Sequence, residues 1–133
     1  MSPGGARPGD RHEYTTPGAL RLNEWALAGE WRITEEATTL TQRNGRIRNR
    51  FHARDLHLVM GPAAPGTTVS FHVLIDGQVP GSAHGDDVNG DGFGVVRHQR
   101  LHQLVRQEGP ISDHTFEITF HDPGVQVFAF TFG

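Results

Sequence analysis

The chain has 133 residues and a formal net charge of −3, with every basic residue an arginine; that length suits one domain, able to hide roughly two thirds of the surface its unfolded chain exposes. Cysteine is absent, which removes disulfides, thiolate metal sites, cysteine nucleophiles and dithiol redox chemistry, and the absence of lysine removes Schiff-base chemistry. An overall acidic balance argues against a nucleic-acid partner, whose affinity comes mostly from phosphate neutralisation, and no apolar run approaches the ~20 residues of a membrane-spanning helix.

Residues 1–17 are Gly, Pro and charge with a single aromatic, Tyr14, and are expected to form a flexible arm or linker ahead of one module at 18–133. The opening "MSPGGARPGD" lacks the apolar centre of a secretory signal, leaving a targeting segment absent, already removed or located elsewhere in a longer parent. "LNEWALAG" (22–29) is one of two stretches open to a helical reading, here as a single turn ending at Gly29, and "EWRIT" puts Trp31 and Ile33 on one core-facing side. After the "RNG" turn comes "GRIRNRFHARD" (45–55). On a strand it projects Arg46, Arg48, Arg50 and His52 to one face and Ile47, Asn49, Phe51 and Ala53 to the other.

Beyond the "GPAAPG" turn, "TVSFHVLID" alternates Val69, Phe71, Val73 and Ile75 with Ser70, His72 and Asp76. "DGQVPG" and "VNGDGFG" are turn-forming. "HQRLHQLVRQ" (98–107) has a helical and a strand reading; the strand reading is favoured, with Leu101, Gln103 and Val105 opposite His102, Leu104 and Arg106. "TFEITF" alternates Phe116, Ile118 and Phe120 with polar residues, and "VQVFAFTF" sets Phe128, Phe130 and Phe132 on one side. Period-two runs punctuated by turns predict an all-β antiparallel jelly-roll sandwich of about eight or nine strands.

Two motifs carry possible ligands. A row of guanidiniums can grip carboxylates, phosphates or acidic sugars in bidentate pairs; on that reading Arg46, Arg48, Arg50 and His52 make the ionic contacts, with His102 and Arg106 as neighbours. The competing reading is a solvated sheet face whose arginines meet acids on the next strand. In "HGDDVNGDGFG", Asp87, Asn89 and Asp91 match the front half of a calcium loop, but His98 stands where the bidentate Glu belongs. A Gly-rich hairpin turn competes with a structural calcium there, the only cofactor the sequence suggests.

The nine histidines raise two metal pairings, His98 with His102 and His52 with His72, against a reading as scattered surface residues. They also imply pH sensitivity between about 5 and 7. Sugar stacking would need an exposed ring, for which Tyr14, Trp25, Trp31 and Phe93 are the candidates; Trp31 reads as core, and Trp25 and Tyr14 equally suit stapling the arm to the sandwich. No G-x-S-x-G, H-E-x-x-H or phosphate-loop motif occurs, and adjacent Glu35 and Glu36 point to opposite strand faces. No catalytic residue is expected.

Taken in order, "LNEWALAGEW", "FHARDLHLVMGP", "VLIDGQVPG", "QLVRQ" and "HTFEITFHDPGVQVFAFTFG" resemble the C-terminal β-sandwich module of DipZ-type and related thioredoxin-like proteins, over about residues 14–133. There a thioredoxin domain is followed by a jelly roll similar to carbohydrate-binding modules. The resemblance implies a non-catalytic accessory module of a bacterial envelope redox protein, facing the extracytoplasmic side, with the redox activity in a Cys-containing thioredoxin domain. It implies a glycan or polysaccharide ligand on fold analogy. Two other readings stand beside it. One is a docking module for the thioredoxin domain of a parent protein or homologue, or for a client protein, through a broad apolar patch. The other is a small enzyme with a histidine-held metal, as in cupin-like jelly rolls.

Overall fold

The computed structural model describes residues 11–14, 24–35 and 37–133. Period-two alternation yields strands throughout, and they run as β1 (Arg11–Tyr14), β2 (Trp25–Ile33), β3 (Thr38–Leu40), β4 (Gly45–His52), β5 (Asp55–Pro62), β6 (Val69–Ile75), β7 (Phe93–Val96), β8 (Arg100–Arg106), β9 (Asp113–Phe120) and β10 (Val125–Phe132). A short 3-10 turn at Gly81–Ala83 interrupts the β6–β7 connection. These ten strands form one sheet in the order β7-β6-β9-β4-β2-β3-β10-β5-β8, with β1 paired to β2. The all-β antiparallel fold is as expected. The described residues hold ten strands against the eight or nine expected, and the expected turn at 88–94 gives way to β7 at Phe93.

The sheet doubles back on itself at β2. Its first half, Trp25–Ala28, pairs with β4, and its second half, Trp31–Ile33, pairs with β3. Between them Gly29 has φ +100°, a conformation that costs a side-chain-bearing residue dearly. A Cβ there would also lie 2.9 Å from the Gly45 Cα. The helical option at 22–29 therefore gives way to a strand from Trp25 onward, and Gly29 is a hinge between two layers instead of a helix cap.

Between the layers lie the inward rows Val69, Phe71 and Val73 of β6, Phe116, Ile118 and Phe120 of β9, and Ile47 and Phe51 of β4, all fully or almost fully buried. Each such side chain contributes roughly 1.5–3 kcal/mol. Trp31 is completely buried, as its alternation with Ile33 predicts, and its indole N–H donates to the Ala28 carbonyl at 2.9 Å. Two bulges break the simple alternation. One falls where β10 meets β5, between Val127 and Ala129, and one where β8 meets β5 at Leu56 and His57. In β10 Val125 and Val127 face inward before the bulge and Phe130 packs on the core after it, while Phe132, 43% exposed, lies at the rim and Phe128 does not share the Phe130 row. In β8 both Leu104 and Val105 are buried while Arg106 is exposed.

Of the expected arm at 1–17, Arg11–Tyr14 forms β1 against Gly29–Arg32; its remaining residues lie outside the described residues.

Candidate functional site

The end of the sandwich where β2 begins and β10 finishes opens into a cleft of about 310 Å³. Its walls are Trp25, Thr38, Asn49, Val127, Phe128, Ala129, Phe130 and Phe132. The bulge in β10 shifts the strand's phase so that Phe130 and Phe132 face this mouth. Phe130 meets Trp25 edge-on at 5.9 Å, and Phe132 stacks on Phe130 at 6.4 Å and on Phe51 at 6.2 Å. None of these lining residues carries a charge.

One polar side chain stands out in that wall. Asn49 lies in the inward row between Ile47 and Phe51 and is 2% exposed. Its amide N–H donates to the Glu24 carbonyl at 3.2 Å, but its Oδ1 has no hydrogen-bond partner. A buried acceptor left unpaired costs about 1–3 kcal/mol.

The arginine row does project to one face of β4, as the alternation predicts, and the ladder supplies its partners. Glu117 lies opposite Arg48, 3.9 Å from its Nε and 3.8 Å from Arg46 Nη1. Arg50 donates to the Thr115 hydroxyl at 3.0 Å, and His52 pairs with Asp113 at 2.7 Å. This is the cross-strand pairing of a wet sheet face. His102 and Arg106 are not its neighbours. Both sit on β8, at the far end of the strand order from β4, and His102 points into the core with no exposed surface. Arg106 lines a separate open cleft of about 670 Å³ with Arg54, His84, Asp86 and Glu108.

In the loop "HGDDVNGDGFG", Asp87 and Asn89 use their side-chain oxygens within the fold. One Asp87 oxygen pairs with the Arg100 guanidinium, and the other accepts the Gln103 backbone N–H at 2.7 Å. Burial raises the Asp87 pKa, but those two donors outweigh it and leave the carboxyl below its ordinary value. Asn89 Oδ1 accepts the N–H groups of Asp91 and Phe93 at 3.1 and 3.0 Å, closing the turn. Among the described residues no group of three or more His, Asp or Glu is placed to hold a metal. The two histidine pairings weighed from sequence do not form: His98 is exposed while His102 is buried, and β9 lies between the strands of His52 and His72.

A family model described as "Thioredoxin like C-terminal domain" matches residues 1–133. The chain belongs to this family. This thioredoxin-like C-terminal domain is 27% identical over 130 residues to Protein DipZ of Mycobacterium bovis and to Protein DipZ of Mycobacterium tuberculosis. The match covers 98% of the chain but only 16% of either relative's length. Among solved structures it is similar to a family two carbohydrate esterase from Clostridium thermocellum in complex with cellohexaose, with a TM-score of 0.55 and 12% identity over 74% of this chain and 27% of that one. An active-site mutant of a family two carbohydrate esterase from the same organism gives a TM-score of 0.58 and 10% identity over 84% and 31%. At such identities the likeness is one of fold. The resemblance read from the ordered sequence segments holds for the whole chain, and no helix among the described residues is long and apolar enough to cross a membrane.

Of the residues singled out from sequence, Trp25 alone lies in the aromatic cleft. Asn49, Phe130 and Phe132 were missed. For Asn49 a signal existed, a polar residue in an otherwise apolar inward row; for the two phenylalanines it was hidden by the β10 bulge.

Proposed function

We propose that this domain is an accessory binding module of a thioredoxin-like envelope protein and that it holds a neutral carbohydrate in the cleft between Trp25 and Phe132. The unpartnered Asn49 Oδ1 in an uncharged, aromatic wall carries this reading. A pyranose offers an apolar C–H face to a ring and hydroxyls to a fixed acceptor, and ligand clefts combine an apolar lining with a few such polar groups. Asn49 Oδ1, which has almost no accessible surface in the free domain, supplies the acceptor once its amide turns into the cleft, and the Trp25 and Phe132 rings supply the faces. An acidic sugar would find no cation among the lining residues. The fold likeness to an esterase solved with cellohexaose supports the same ligand class. Thiol–disulfide chemistry belongs to another domain of such a parent, since this chain has no cysteine. An extracytoplasmic setting is part of this proposal, as the family resemblance implies.

Titration of the domain with neutral and acidic oligosaccharides, read by tryptophan fluorescence and calorimetry with and without EDTA, tests this. Trp25 is the responsive indole because Trp31 is buried. Saturable binding of a neutral glycan, indifferent to EDTA, is expected, with W25A and N49A each weakening it about tenfold, the equivalent of ~1.4 kcal/mol. Absence of saturation with every neutral glycan, or affinity unchanged in W25A, would refute the reading.

A further inference from the structure

We propose that Ser112, His114 and Asp76 form a second, hydrolytic site that cleaves small carboxylic esters through an acyl-serine. It stands independently of the carbohydrate reading. The Ser112 hydroxyl is 2.9 Å from His114 Nε2, and His114 Nδ1 is 2.6 Å from Asp76 Oδ2. A carboxylate can only accept, so Nδ1 carries a proton, and in the neutral form of the imidazole Nε2 is left to accept from the serine O–H. That is the tautomer a general base needs, and the chain of nucleophile, base and orienting acid is the arrangement that recurs on unrelated folds.

The backbone fixes this geometry. β6 and β9 are neighbours, with Ile75 opposite Phe116. Directly after β6, Asp76 and Gly77 have φ of 52° and 78°, and Ile75 and Gln78 exchange backbone hydrogen bonds at 2.8 and 3.0 Å. This two-residue hairpin turn sets the Asp76 side chain over β9. There the second Asp76 oxygen accepts the Thr115 N–H at 2.8 Å, and the Asp76 N–H donates to the Thr115 carbonyl at 2.8 Å. The imidazole lies 6.1 Å from the Phe51 ring, on which the partly exposed Phe132 stacks.

In the first step Ser112 Oγ bonds to the ester carbonyl carbon while its proton passes to His114 Nε2. The carbon–oxygen bond to the alcohol then breaks, and His114 returns the proton to the departing alkoxide. Water next attacks the acyl-serine, giving one proton to His114; the acid leaves and the serine recovers its proton. The sum is ester plus water to acid plus alcohol. Ser112 is exposed, so solvent meets the oxyanion. A single preorganised donor is worth about 10²–10³ in rate, so slow turnover on an activated ester is expected.

The test is p-nitrophenyl acetate hydrolysis by the whole domain, with mass spectrometry of acid-quenched protein. A nitrophenol burst of about one equivalent, with the acetyl group on Ser112, is expected. S112A should abolish burst and adduct, and H114N should slow acylation at least about a hundredfold. Asp76 is a positioning residue: D76N should flatten the pH profile of acylation and D76E restore part of it. The exposed Ser82 serves as control, S82A keeping the burst. Acetyl distributed over other residues, or hydrolysis undiminished in an S112A protein with native circular dichroism, would overturn the proposal.

Discussion

Arg46, Arg48 and Arg50 invite a ligand because they share one strand face, yet Glu117 and Thr115 stand directly across the ladder from Arg48 and Arg50. The Arg46 and Glu117 side chains keep 45% and 22% of their surfaces in solvent, and such pairs contribute about 0–1 kcal/mol. Asn49 differs in kind: its carbonyl is shut off from water and holds an unspent acceptor. Replacing both Arg46 and Arg50 by Ala is therefore expected to shift the free energy of urea unfolding by no more than about 1 kcal/mol. Glycan affinity in the same double variant should stay within about twofold, a free-energy change of ~0.4 kcal/mol. A tenfold loss of affinity would move the ligand from the cleft to the stripe.

At the scale of elements, the hinge in β2 is the device that turns one sheet into two layers. Any Cβ at Gly29 meets both an unfavourable φ and the Gly45 backbone. Since the neighbour is main chain and cannot swing aside, Gly29→Ala should lower unfolding free energy by roughly 1–3 kcal/mol, measured by urea titration; a neutral effect would mean that β2 can bend elsewhere. The strands themselves were legible because Val69, Phe71 and Val73, or Phe116, Ile118 and Phe120, alternate without interruption. The hinge was not: a Gly after Trp-Ala-Leu-Ala is also what a helix end looks like. Nor were the bulges, which arise from a mismatch between two strands and leave no mark on either alone. The same limit hid most of the candidate sites. Trp25 announces itself as an aromatic, but Phe132 joins it only through the bulge, and Asp76 reaches His114 across 38 residues only through the β6–β9 register.

Across the whole molecule, three carboxylates tie distant segments together, and the fold lowers the pKa of each. Asp76 binds β9, Asp87 holds the β8 backbone, and Asp122 accepts the N–H and hydroxyl of Ser70 on β6. For Asp76 and Asp87 burial works against ionisation but is outweighed, by His114 and Thr115 in the first case and by Arg100 and Gln103 in the second. For Asp122 the two Ser70 donors act first. All three carboxyls lie below their ordinary value of 3.8 in the fold. His102 is lowered too, by burial first and by the Arg100 charge next, with Asp87 opposing. In each case the unfolded chain binds more protons than the folded one below the group's ordinary pKa, so stability falls as pH falls. Two stages should follow: a shallow loss from His102 beginning near its ordinary value of 6.5, then a steeper one from the carboxylates below about pH 4. Urea midpoints measured from pH 8 to pH 3 resolve both. His102→Leu keeps the buried volume near its original size and removes the titrating group, so its profile should run flatter than the parent's between about pH 7 and 5 and keep the acid limb. Identical slopes in that window for parent and variant would show that the fold accepts a charged His102, and the acid sensitivity would then belong to the carboxylate ties alone.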